Sequence, residues 1–491
     1  MDLERRTLLK GGAAAATGAV LGGPFAGFAA APASARPGPR PQALFPVPDA
    51  RDGAVRLHLP RGFSYRSFHD TEFPVVLDDG THLPGRHDGM GAFRDPDGGV
   101  VLVRNHELNN PDVSAGETYT SMGGAGAPEP YDAAARGGTT TVHVDHHGNV
   151  SRAYTSLNGT MMNCSGGVMP WGSWITCEET INGPDVGPDF TGASNEPLQK
   201  PHGYIFEVPS DGSASHTPIT AAGRFAHEAV SFDPVGGALY LTEDNFGFAS
   251  GFYRYTPGSL PMVSGSLDNN GSLEMLAVKG APNLHLEGRQ RPGRTYEVEW
   301  VPIAQPDFHG ELANPMSNND AICFVGNQGR ELGAAYFSRL EGQVFEDGVV
   351  YFCSTQGGGK AEDGVEDPSG YGNGHGQVWG YDTRNQTLTL VYQSHSRERL
   401  DFPDNVTASP SGTLVVCEDN DDDNYLRGLS QRGRIWDICL NRLTSASGTP
   451  RYDDEFAGST FSPDGQTLYV NIQASHGMTF AIWGPWRRIG V

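Results

Sequence analysis

The sequence predicts an all-β protein, a six-bladed β-propeller with long inter-strand insertions. Three observations lead there. A turn-and-strand unit recurs six times between residues 96 and 473. Gly (66) and Pro (35) make up about a fifth of the 491 residues, more turn chemistry than a helical protein needs. No stretch shows convincing long amphipathic helix periodicity, and the Ala133–Arg136 run is too short to count.

Each unit opens with a Pro or its substitute, then x-Gly, and continues into a β-rich run that ends in polar or acidic residues. The six are Pro96-Asp97-Gly98 with Val101–Glu107, Pro170-Trp171-Gly172 with Ile175–Glu179, Pro234-Val235-Gly236 with Leu239–Asp244, Glu346-Asp347-Gly348 with Val350–Gln356, Pro410-Ser411-Gly412 with Leu414–Asp419, and Pro463-Asp464-Gly465 with Leu468–Gln473. The P-x-G element makes a tight turn, and the β-branched and aromatic run makes a strand. Such recurrence is the mark of propeller blades. The spacing exceeds the roughly 40–45 residues of a compact blade, so insertions are expected. The candidates are Asp185–Pro201, Ser264–Pro315 and Gly357–Gly376.

The chain begins differently. Arg5-Arg6-Thr7-Leu8-Leu9-Lys10 precedes an Ala/Gly-rich apolar run to about Ala31, and Ala33-Ser34-Ala35 offers a small-residue cleavage site. This is the layout of a signal peptide for the twin-arginine export machinery, over residues 1–35. A Pro-rich linker over 36–49 and a single propeller catalytic domain over 50–491 should follow. No other run reaches about 18 apolar residues, so the mature form is not expected to span a membrane. It is expected to be secreted or periplasmic, and a monomer. Acidic residues (58) outnumber basic ones (34), for a net charge of −24. That charge disfavours nucleic acid and anionic membrane surfaces, and suits cations.

The acids are periodic. Counted from the Pro of their units, Cys164, Glu228 and Asp404 lie six residues before, and Glu341 five before Glu346. Glu178 and Glu418 lie eight after; Glu179, Glu243 and Asp419 lie nine after. In a propeller, one place in each blade falls on one ring about the axis. Carboxylates on a ring repel unless cations lie between them, and Ca²⁺ takes about six to eight oxygen ligands. Cys164 introduces a soft thiolate, which selects iron, zinc or copper. With six Cys in an exported chain, a disulfide or an inert thiol is the alternative reading of Cys164. Cys177, Cys353 and Cys417 each fall seven after the Pro place, where a buried Cys acts as a small hydrophobe.

Familiar motifs fail. His227-Glu228 has Ser231 where a second zinc-binding His is needed, and Gln356–Ala361 lacks the spacing of a P-loop. Asp419–Asn424 starts like an EF-hand, but Asn424 occupies the Gly position. No G-x-S-x-G nucleophile elbow occurs.

Asn163-Cys164-Ser165-Gly166-Gly167, the block from Pro170 to Glu179, Gly223–Ala229, Leu241–Asp244, Ser338–Gly342, Pro403–Val406 and Cys417–Asn420 together resemble the PhoX-type alkaline phosphatases, exported bacterial enzymes. The resemblance implies hydrolysis of small phosphate monoesters at the channel mouth, with two irons, one of them Cys-ligated, and several calcium ions. It implies that Cys164, Glu178, Glu179, Glu228, Asp244, Glu341, Asp404 and Glu418 are metal ligands. Arg339 resembles the arginine that holds the phosphate; an ion pair with Glu341 is its structural alternative. Arg104 is a weaker phosphate candidate. The competing functions are a calcium-dependent phosphodiesterase or lactonase-like hydrolase, and a non-catalytic calcium-binding propeller.

Overall fold

The structure, a computed structural model, describes residues 42–109, 121–260, 262–430 and 432–491. The expected signal peptide lies outside the described residues. Six antiparallel blades surround a central axis. Their innermost strands are His87–Arg94, Asn163–Val168, His227–Asp233, Leu340–Glu346, Pro403–Ala408 and Glu455–Phe461, here blades I to VI. Each innermost strand touches the next, and the last touches the first, so the ring closes.

The recurring P-x-G turn joins the innermost strand of each blade to its second strand. Those second strands read as continuous apolar runs because both faces are buried between blades. In blade IV, Val349, Tyr351 and Cys353 face blade V, whereas Val350 and Phe352 face blade III. Six apolar clusters fill the six spaces between neighbouring blades. All six Cys are buried free thiols, and Cys177, Cys353 and Cys417 occupy matching interior positions on second strands.

Ring closure uses the N-terminal part of the chain. Ser64–Phe68 pairs antiparallel with Met478–Trp483 and supplies the outermost strand of blade VI. Val55–Leu59 extends blade V through Leu57 opposite Asn441, and Phe45–Pro48 pairs in turn with Val55–Leu59. The last residues of the expected linker are therefore an edge strand, where Pro is tolerated because no ladder donor is needed on the open side.

Two expectations need correction. Ser264–Pro315 is not all insertion: Ser272–Val278 is the fourth strand of blade III, and Thr295–Pro302 bridges it to Thr387–Gln393 of blade IV. A 14-residue helix, Asn318–Glu331, follows it. Its Gly326 and Gly329 blur the apolar period, and Gly329 is needed because a Cβ there would lie 2.3 Å from Met275 Sδ. A local signal does exist in Ser317-x-x-Asp320, where the Ser317 hydroxyl accepts from the Asp320 amide at 3.1 Å.

Candidate active site and metal centre

Every innermost strand carries a β-bulge near one end, and all six bulges face the same mouth. A bulge leaves residues unpaired and re-aims their side chains. The first unpaired residue is Asp88 in blade I, Cys164 in II, Glu228 in III, Glu341 in IV and Asp404 in V. Blade VI has Gly458 there, with φ +60°; a Cβ would meet the Asp88 carbonyl at 2.3 Å. The acid of that blade is Glu455, three residues earlier.

The second strands deliver another set at their exits, and here adjacent side chains diverge because a strand alternates faces. Glu179, Asp244 and Asp419 turn to the axis. Glu178, Glu243 and Glu418 turn back into their own blades. Glu178 accepts from the amides of Met161, Gly203 and Tyr204 at 2.9–3.2 Å and from His202 Nδ1 at 2.6 Å. Glu418 accepts from Arg427 Nε at 2.9 Å and from the Asp401 and Tyr425 amides. The mouth therefore does not include Glu178 or Glu418, two of the expected metal ligands.

A cavity of about 190 Å³ occupies the mouth. Among the described residues, eight carboxylates line it: Asp88, Glu107, Glu179, Glu228, Glu341, Asp404, Asp419 and Glu455; so do Cys164, Arg86 and Arg339. Burial first, and mutual repulsion next, push the carboxyl pKa values of Asp88, Glu179, Glu228 and Glu455 well above the usual range. Burial and the Asp419 charge push Asp404 up to about 7. Burial, then Glu228, raises the Cys164 thiol. One oxygen triad comes from Glu179, Asp244 and Glu341, another from Glu228, Glu341 and Asp404; within each, the atoms lie within 4.8 Å of one another. Glu341 belongs to both.

Neighbouring groups hold these side chains in place. Asn105 Nδ2 donates to the Cys164 and Ser165 carbonyls at 2.8 and 2.7 Å, while its Oδ1 accepts from Trp174 Nε1. The innermost strand of blade II is pressed close to its neighbour: a Cβ at Gly167 would lie 1.8 Å from the Val230 carbonyl oxygen. This accounts for Gly167; at Gly166 a Cβ would instead lie 1.9 Å from the Ile175 carbonyl oxygen of the same blade.

Arg339 sits just before the innermost strand of blade IV. Its Nε and Nη2 donate to Asp244 at 2.7–3.2 Å, and Nη2 lies 3.2 Å from Glu341 Oε1. Nη1 makes no hydrogen bond to the described residues. The Phe246 ring faces the guanidinium at 5.2 Å. The Arg339 backbone is left-handed, φ +38°, as are those of Met162 and Phe402 at the same place in blades II and V, so the conformation belongs to the blade repeat. Arg104, by contrast, is fully buried, donating to Thr479 and Thr140, and is absent from the cavity lining.

Of the expected ligands, Cys164, Glu179, Glu228, Glu341 and Asp404 converge on the cavity, and Asp244 joins them through the first triad. Asp88, Glu107, Asp419 and Glu455 are additional, Asp419 having been counted among the periodic acids but not among the ligands. Asp88 escapes the repeat count because the blade I hairpin has two more paired residues between bulge and turn than blade II, placing it eight before Pro96.

The donor set fits metal ions. Oxygen triads suit hard cations, and the buried Glu228 Oε1 and Asp88 Oδ1 have no hydrogen-bond partner among the described residues. Such atoms are rare unless an ion or water completes them.

The fold and site together define a six-bladed propeller with a carboxylate-lined, metal-suited mouth. The sequence profile described as "Alkaline phosphatase PhoX" matches residues 44–152 and 147–476. The chain belongs to this family, which places it among the phosphomonoesterases. The structure of Pseudomonas fluorescens PhoX in complex with vanadate, a transition-state analogue, has 17% sequence identity and a TM-score of 0.62, covering 91% of this chain and 97% of that one. A gluconolactonase from Xanthomonas campestris has 12% identity and a TM-score of 0.39, over 91% and 98%. None of the curated proteins compared matches the sequence.

Proposed function

We propose that the protein is an exported, metal-dependent alkaline phosphatase that hydrolyses small phosphate monoesters at this mouth, with iron and calcium as its metals. One observation carries the reading: among the described residues, eight carboxylates and a thiol converge on one small cavity beside an arginine pinned on two of its nitrogens. A phosphate ester must meet positive charge, and a chain at −24 needs cations to provide it. Bound ions supply Lewis acidity and an activated nucleophile.

The chain's own residues do the rest. Glu179, Asp244, Glu228, Glu341 and Asp404 supply the hard oxygen donors that suit calcium. Cys164 is the soft donor that suits iron. Asp244 and Glu341 orient the Arg339 fork so that Nη1 can reach a phosphate oxygen. The thiol and carboxyls bind as anions, so metal loading releases protons and strengthens as pH rises. The twin-arginine signal over residues 1–35 supports export after folding, which suits a protein that must load its cofactors first. Small phosphate esters fit the cavity size, and we expect a monomer.

The test is metal analysis of the exported protein, with chromogenic phosphate monoester hydrolysis assayed on the same sample. Iron and calcium together, with activity lost on strong chelation, are expected. Cys164→Ser should remove iron and activity and leave the propeller folded. Calcium alone with no monoester hydrolysis overturns the reading.

A further inference from the structure

The mouth cavity offers an ester no apolar surface. Each described residue that lines it is charged, an amide or Cys164. With ions in its volume of about 190 Å³, the phosphate group enters and the organic group points outward. What distinguishes one organic group from another therefore lies on the rim.

Phe246 stands on that rim. The second strand of blade III, Ala238–Glu243, ends at the mouth and delivers Asp244, and Phe246 follows two residues on. Its ring lies 5.2 Å from the Arg339 guanidinium, yet it is 47% exposed and is not part of the cavity lining. A half-exposed phenyl on a loose loop would be an incidental surface residue; this one is fixed. The Phe246 carbonyl accepts from the Tyr371 amide at 2.7 Å, and the Gly247 carbonyl from the Asp367 amide at 2.8 Å, so the Gly357–Gly376 insertion holds the loop. Asn245, fully buried, donates its amide to Ser250 Oγ at 3.1 Å and accepts from the Phe248 amide at 3.2 Å. Ser250 is bridged in turn to Phe337. The ring is thus a preformed apolar face beside the arginine, and preorganised surfaces bind at low entropic cost.

We propose that Phe246 is a specificity-determining residue for the organic group of the ester, pairing with a flat aromatic ring and so favouring aryl phosphates. This rests on the phosphatase reading of the same site. An aryl ring is joined to its phosphate through a single oxygen. A phosphate on Arg339 Nη1, the nitrogen that Asp244 and Glu341 leave open, therefore keeps the ring close to the Phe246 phenyl. Aromatic rings pair at about 4.5–7 Å between centroids.

The test compares phenyl phosphate with glycerol phosphate. KM for each is measured on metal-loaded wild type, Phe246→Ala and Phe246→Tyr, with metal content and the dissociation constant of inorganic phosphate on the same samples. Comparing each ester with itself across variants cancels the difference in leaving-group reactivity. In Phe246→Ala, loss of the Arg339 contact should raise KM for glycerol phosphate about two- to fivefold, and weaken inorganic phosphate alike. KM for phenyl phosphate should rise by a further factor of about three to ten. Phe246→Tyr keeps the flat face and should restore both esters. Equal factors for the two esters overturn the proposal, leaving Phe246 as a support for Arg339 alone. Loss of metal from Phe246→Ala also overturns it, since the ring then serves the ions and not the ester. A wild type that hydrolyses neither ester and binds no phosphate overturns the phosphatase reading itself.

Discussion

Glu178 and Glu179 are neighbours in the chain with opposite environments. The first belongs to a set, with Glu243 and Glu418, whose carboxylates serve the amides or side chains of their own blades. The second belongs to a set that faces across the axis, with Asp244 and Asp419; Asp244 is paired with Arg339, and other carboxylates are the main company of Glu179 and Asp419. Both sets are acidic and recur from blade to blade; the first is fully buried, and Glu179 and Asp419 of the second are half-buried. The difference is satisfaction. A carboxylate that accepts four hydrogen bonds stabilises the fold, whereas one facing other anions stores repulsion until a cation arrives.

The comparison can be broken most directly at Glu341, which both oxygen triads share. Glu341→Gln should lower kcat/KM by at least about 10³-fold, because several kcal/mol of charge stabilisation goes with the ions. Metal content should fall, and the metal-free melting temperature should hold or rise as repulsion is relieved. A melting temperature that falls as far as for an outward-facing acid would erase the distinction.

Glu178→Ala tests the other side. It strands the buried His202, which Glu178 and Asp132 hold up at about 9 against the lowering effect of burial. Loss of about 3–5 kcal/mol is expected, read by denaturant unfolding. The folded fraction should keep its metals.

The metal-free protein offers a third test. Mouth carboxyls have folded pKa values above their unfolded ones, Asp404 at about 7. The folded state then binds more protons, so stability is greatest below the unfolded pKa and is lost as pH rises toward 7. Melting temperature against pH, with and without chelator, should show this fall only when metals are removed. The smallest effect belongs to Phe246→Ala. Loss of about 0.5–1 kcal/mol of cation–π contact to Arg339 should raise KM about two- to fivefold.

Much of this site was legible in the repeat. The P-x-G turns mark the hairpins, and counting back from them reaches Cys164, Glu228, Glu341 and Asp404 because hairpin lengths in blades II to V are nearly constant. The count fails at Asp88, where the hairpin is longer, and at Glu455, where Gly458 takes the bulge. It also cannot separate Glu178 from Glu179. Periodic placement marks a ring, but which of two adjacent side chains faces the axis depends on strand register and bulges.

The amino-acid pattern alone is sufficient for the blade count, the all-β class and the abundance of acids near the axis, since turns and strand runs are local properties of short segments. It does not reach the closure of blade VI by Ser64–Phe68, which joins residues over 400 apart in the chain. Nor does it reach the retreat of Glu178 and Glu418 into their blades. Those depend on long-range packing, because a side chain's role follows from what the folded chain brings within a few ångströms of it.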